Sequence, residues 1–120
     1  MSEKTFDFHC EHGDYTCCLV KGEADAIFVY ALDENGTWED FMDATQNVGQ
    51  IDMPEGCVCI KDDRENTGIL ETLIQLGVVE KLNPPMRVNN GLADIGVICK
   101  VNKQRLNELD AAEIVYGPLE

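Results

Sequence analysis

The chain is 120 residues long, is 44% hydrophobic, and sets 23 Asp and Glu against 9 Lys and Arg for a formal net charge of −14. That length suits one domain spanning residues 1–120, and the apolar share is that of a globular chain and not of a disordered one. The sign of the charge excludes a basic, phosphate-neutralising binder of nucleic acid, and no run reaches the ~18 apolar residues of a membrane span.

The elements follow from periodicity and turn chemistry. Alternation predicts strands over residues 5–10 and 15–21, joined as a hairpin through Gly13-Asp14. A two-residue turn at His12-Gly13 would set Cys10 opposite Tyr15, Phe8 opposite Cys17 and His9 opposite Thr16. Phe8, Cys10, Tyr15, Cys17 and Leu19 then share one face, with His9 and Cys18 on the other. Gly22-Glu23-Ala24-Asp25 turns the chain into a β-branched and aromatic strand over residues 26–32. Asn35-Gly36 marks a second hairpin, because both residues tolerate positive φ. Across residues 37–48, Trp38, Phe41, Met42 and Val48 fit neither period, and topology favours a continuing strand.

Residues 50–56 read as a loop around Pro54, and Cys57-Val58-Cys59-Ile60, apolar on both faces, as a central strand. Asn66 and Thr67 are candidate caps for a helix through Leu76, stopped by Gly77. Its stripe is Ile69, Leu70, Leu73 and Ile74. Asn83-Pro84-Pro85 opens a loop, Asn89-Asn90-Gly91 makes a turn, and Val97, Cys99 and Val101 alternate in a strand over residues 95–101. Asn102 caps a short helix carrying Leu106 and Leu109, and residues 113–116 return as an edge strand. The predicted fold is α+β, an antiparallel sheet of about five or six strands with two helices packed on it.

The six cysteines are Cys10, Cys17, Cys18, Cys57, Cys59 and Cys99. The N-terminus, Met1-Ser2-Glu3-Lys4, has no basic, then apolar, export pattern, so the expected setting is the reducing cytoplasm and the expected state free, core-forming thiols. The sharper alternative is zinc, since His9, Cys10, His12, Cys17 and Cys18 lie close together in the chain. Neither Cys-x2-Cys nor His-x3–5-His spacing is present, so no metal and no cofactor is expected.

Chemistry is equally unadvertised. The chain has no phosphate-binding glycine loop, no Gly-x-Ser-x-Gly elbow and no His-Glu-x-x-His pair. A dyad of Cys57 or Cys59 with His9 lacks any orienting motif. Asp62-Asp63 with Glu65 offers a weak magnesium ligand set, although such sites lean on substrate phosphates. The expectation is a non-enzyme with no catalytic residues.

The charge is unevenly spread. Residues 1–65 carry 16 acidic and 4 basic side chains, whereas residues 66–120 carry 7 and 5. The acids gather at Asp33 and Glu34, at Glu39, Asp40 and Asp43, and at Asp62, Asp63 and Glu65. The plain reading is a solvated surface that keeps the protein dispersed. The functional reading is a partner-binding surface formed by these eight residues. Strands about 4.8 Å apart, with same-face residues roughly 6.6 Å apart, can hold carboxylates where a row of backbone phosphates would lie. The partner would be a basic, nucleic-acid-binding protein, with no direct contact to nucleic acid or membrane. An alternative class is a small-molecule or nucleotide-binding module with its pocket between helices and sheet, where Arg87, in a loop over residues 87–90, would contact an anion.

The block Pro54-Glu55-Gly56-Cys57-Val58-Cys59-Ile60-Lys61-Asp62-Asp63-Arg64-Glu65-Asn66-Thr67-Gly68-Ile69-Leu70-Glu71-Thr72-Leu73 carries a resemblance. With Leu76-Gly77-Val78-Val79, the strand over residues 95–101 and a hairpin over residues 32–37, it resembles a functionally uncharacterised family of small acidic proteins from bacterial mobile elements and phages. The likeness covers about residues 15–101 and departs from the family pattern over residues 83–94. It brings no catalytic residues. It implies a counter-defence or plasmid-maintenance role, and the charge pattern above supplies the form it would take: inhibition of a nucleic-acid-handling host protein by polyanion mimicry.

Overall fold

Four strands follow one another as a meander: β1 (Thr5–Cys10), β2 (Gly13–Lys21), β3 (Ile27–Leu32) and β4 (Trp38–Asp43), all antiparallel. The computed structural model describes residues 4–10, 13–46, 54–61, 68–89 and 94–117. A second four-stranded sheet has the order β5 (Thr45–Gln46), β6 (Cys57–Lys61), β8 (Asp94–Val101) and β7 (Val79–Asn89). A 3-10 turn at Glu23–Asp25 and three short α-helices, α1 (Ile69–Gln75), α2 (Lys103–Leu109) and α3 (Ala112–Tyr116), complete the described elements. The α+β class stands, but the expected single sheet is two.

The division falls at Ala44, where one extended run leaves the first sheet and enters the second. Its N–H donates to the carbonyl of Ile27 at 2.9 Å, and its carbonyl accepts from the N–H of Lys61 at 2.8 Å. Ala44 is fully buried, so its small side chain suits the corner.

In the first hairpin Phe8 pairs with Tyr15, Phe6 with Cys17 and His9 with Asp14. This register differs by two residues from the expected one, so every side chain keeps its face. Phe8, Cys17, Leu19, Ile27 and Val29 turn inward. At Asn35-Gly36 the Asp33 carboxylate accepts from the N–H groups of Asn35 (2.9 Å) and Thr37 (2.8 Å). Gly36 supplies the positive φ of 80°.

The aperiodic stretch after Trp38 is explained by a bulge. Tyr30 pairs with Asp40 and Val29 with Met42, leaving Phe41 as the extra residue. Phe41 and Met42 consequently both reach the core, and the Phe41 ring lies 4.8 Å from Tyr15 and 6.1 Å from Phe8, centre to centre.

In the second sheet Val58, Ile60, Val97, Cys99, Val101 and Val79 face the same core as the first sheet. Ile69, Leu70 and Leu73 of α1 join them, as do Leu106 and Leu109 of α2. Gly77, at a φ of 79°, ends α1 with its N–H on the Ile74 carbonyl and that of Val78 on the Leu73 carbonyl. The candidate caps Asn66 and Thr67 lie outside the described residues, as do Val48, residues 50–53, Asn90 and Gly91.

Two expected elements are corrected. Asn83-Pro84-Pro85 does not open a loop but lies inside β7, where Lys81 pairs with Cys99 and Met86 with the adjacent Ile98. Residues 82–85 bulge from the ladder, because prolines have no N–H to give it. Residues 113–116 are not an edge strand. Ala112–Tyr116 is helical, with the N–H groups of Ile114 and Val115 bonded to the Ala111 carbonyl.

Asn102 does cap α2, accepting from the N–H of Arg105 at 3.1 Å. Arg105 in turn donates through Nε to the Leu76 carbonyl at 2.8 Å, tying α2 to the end of α1. Past α2, Asp110 bridges to Leu19 and the Ala111 N–H bonds the Leu19 carbonyl, beyond the point where β1 begins. The chain then lies over the outer face of the first sheet, with Tyr116 against Tyr30.

Candidate functional site: the outer face of the first sheet

Directly paired residues project to one side of a sheet. Cys18, Tyr30 and Asp40 therefore share the outer face, as do Val20, Phe28 and Asp43, and as do Leu32 and Trp38. On β1 and β2 the same face carries Asp7 opposite Thr16 and His9 opposite Asp14. Four carboxylates, Asp7, Asp14, Asp40 and Asp43, thus stand on it, all exposed. Lys21, the basic residue within β1 to β4, pairs with Ile27 on the inner side and donates to Asn107 at 3.0 Å.

The eight acids singled out from sequence separate. Asp40 and Asp43 are together on this face. Glu39 pairs with Ala31 and projects to the opposite side of β4, because neighbours along a strand alternate. Asp33 is a turn residue, its carboxylate engaged by two backbone N–H groups, and Glu34 is exposed at that hairpin tip. Asp62, Asp63 and Glu65 lie outside the described residues. Asp7 and Asp14 were missed, since each is a lone acid in its strand. Strand alternation from His9 and Cys18 would have found them.

The face also carries aromatic surface. The Tyr30 and Tyr116 hydroxyls are 2.6 Å apart, and their rings meet edge to face with centres 5.9 Å apart. Tyr116 is 64% exposed and Leu32 36%, with Trp38 half-buried opposite Leu32. The hydroxyl bond from Tyr116 is the main reason that the Tyr30 phenol is pushed up to about 12, and the nearby charges of Asp40 and Asp43 add to it. His9 Nδ1 lies 2.7 Å from the Asp14 carboxylate, and that hydrogen bond holds the imidazole above its usual range.

The thiols divide between faces. Cys17 is in the core, where burial pushes it up to about 12, and Cys18 on the outer side is pushed to about 11 by burial. Cys59, with Ile98 and Val88, forms a small cluster on the outer face of the second sheet, and Gln46 Nε2 donates to its sulfur at 3.5 Å. His9 therefore stands on a different sheet from Cys57 and Cys59. Among the described residues no three His, Cys, Asp or Glu side chains are grouped to hold a metal ion, and His12 lies outside them. Because the thiolate is the reactive form, native protein at neutral pH should be alkylated first at the half-buried Cys10 and Cys57. Cys17, Cys18, Cys59 and Cys99 should react only on unfolding. Peptide mass mapping after timed alkylation checks this, and early labelling of Cys17 would contradict the burial.

Elsewhere, an open groove of about 510 Å³ lies where α1 ends and α2 begins, lined by Ile74, Val79, Glu80, Lys100, Asn102 and Lys103 among others. Arg87 is not at this groove, and it is not in a loop. It sits in β7 opposite Val97, so the anticipated anion-binding loop is corrected to strand.

No family model, curated protein or solved structure matches the chain. Among the described residues no helix is long and apolar enough to cross a membrane.

Proposed function

We propose that this chain is a non-enzymatic acidic binding protein that occupies the polyanion site of a basic, nucleic-acid-handling partner. The observation that carries the reading is the outer face of the first sheet, with Asp7, Asp14, Asp40 and Asp43 projecting from it and Lys21 turned away. Across four strands such a face spans about 14 Å, wide enough to enter a groove built for a phosphate backbone. Its potential also speeds encounter with a cationic surface. In the setting that the family resemblance implies, a phage or mobile element, the partner is a host defence or DNA-processing protein.

The test immobilises the chain and measures capture of basic nucleic-acid-binding proteins between about 50 and 300 mM salt, over which the Debye length falls by about half. Capture should fall with salt and be displaced by added DNA. Asp40→Asn with Asp43→Asn should weaken it several-fold with little change in unfolding, since exposed charges contribute little to stability. Glu39→Gln, on the other side of the same strand, should weaken it much less. Capture indifferent to salt and to the Asp40 and Asp43 changes would remove the reading.

A second reading, a small-molecule or nucleotide-binding module, draws on the groove between α1, α2 and the second sheet. Its volume is within the range of ligand sites, and Lys100 and Lys103 could meet an anion over an apolar floor. Thermal stabilisation by nucleoside phosphates, lost in Lys100→Ala, would favour it over the first.

A further inference from the structure

The outer face of the first sheet combines two properties that polyanion mimicry alone does not need. It is acidic, and it exposes aromatic and aliphatic surface in the middle of the acids. Tyr30 is directly opposite Asp40, and Leu32 directly opposite Trp38 one step along the same pair of strands. Tyr116 closes one side of the patch from α3. A purely electrostatic surface gains nothing from leaving such rings exposed, because apolar area in water is unfavourable.

We infer that this patch is the docking point for arginine side chains of the basic partner, with the Tyr116 and Trp38 rings as stacking surfaces and Asp40 as the carboxylate that receives the guanidinium. The inference rests on the acidic-binder reading and specifies its contact. Arginine is favoured over lysine because its planar group can stack on an aromatic ring while its edge donates two parallel hydrogen bonds to a carboxylate. The receiving geometry is held in place. The hydroxyl-to-hydroxyl bond of 2.6 Å fixes Tyr116 on Tyr30, and the strand pairing fixes Tyr30 beside Asp40. Interfaces concentrate their affinity at aromatic and arginine anchors of this kind, and the surrounding acids supply steering.

An arginine octapeptide and a lysine octapeptide of equal charge are the probes. Calorimetry gives the affinities, and emission from Trp38, the chain's single tryptophan, reports contact at the patch. The arginine peptide should bind about three- to fivefold more tightly, the gain expected from cation–π contact at an exposed site. It should also shift Trp38 emission more than the lysine peptide does. Tyr116→Ala should lower the ratio of affinities, leaving the part that Trp38 and Asp40 supply, whereas Tyr116→Phe, which keeps the ring, should preserve most of it. Asp40→Asn should weaken both peptides. Equal binding of the two peptides, still sensitive to salt, would overturn the docking point and leave the acidic-binder reading standing. Absence of binding by either peptide would overturn both.

Discussion

Replacing Leu73 with alanine should lower the unfolding free energy by about 2–5 kcal/mol, the cost of emptying a large aliphatic side chain from a closed core. Leu73 has no exposure, and it lies in the one cluster that joins both sheets to α1 and α2. Since small domains are stable by only about 5–15 kcal/mol, the change would consume a large part of the total. Glu71, two residues earlier on the exposed side of the same helix, should accept alanine within about half a kcal/mol. Urea unfolding of the two variants measures the contrast. Equal effects at both positions would mean that the helix does not present this face to the core.

The second large effect is expected at Gly96, and it is one of added rather than removed atoms. A methyl group there would stand 2.8 Å from Gln46 Nε2 and 2.9 Å from the Ile60 carbonyl oxygen, and would also collide with Cys59 Sγ. The Gln46 amide can swing aside. The Ile60 carbonyl cannot, because it belongs to β6 where that strand is paired with β8. Gly96→Ala should therefore cost about 1–3 kcal/mol from overpacking alone, and more if the strand pairing is disturbed. Adding Cys59→Ala removes the sulfur clash and should restore part of the loss but not all. Thermal unfolding of the single and double variants checks this, and full recovery in the double variant would show that the backbone contact is not limiting.

Much of this architecture could be read in advance, and the failures have identifiable causes. Strand alternation and the turn residues Asn35-Gly36 located β1 to β4, and Asn102 and Gly77 set helix boundaries, because each of those signals is local. Phe41 broke the period of its strand because a bulge places two successive side chains on one side, which alternation cannot represent. The prolines at 84 and 85 argued against a strand on sound chemistry, yet β7 expels residues 82–85 from its ladder and pairs on both sides of them. The helical turn at residues 112–116 is too short for periodicity to distinguish from a strand.

The candidate site was legible only in part. Asp40 and Asp43 were found as an acidic cluster, but their neighbour Glu39 was included through adjacency in the chain, which on a strand means separation in space. The aromatic component escaped notice because Tyr30 and Tyr116 are 86 residues apart and meet only through the return of α3 over β3. Nothing in the composition of either segment reports that encounter.

Ala44 gives the two sheets a common fate. A strand at the edge of one sheet can usually fray while the rest of the molecule holds, because its hydrogen bonds belong to that sheet alone. Here a single residue spends its N–H on β3 and its carbonyl on β6. Pulling β4 away from β3 displaces the carbonyl that anchors Lys61, so separation of the first sheet carries into the second. Amide hydrogens at Ala44 and Lys61 would accordingly exchange with solvent together, at the slow rate set by opening of the shared core, while those of Asn35 and Gly36, bonded only within their own exposed turn to Asp33, exchange faster.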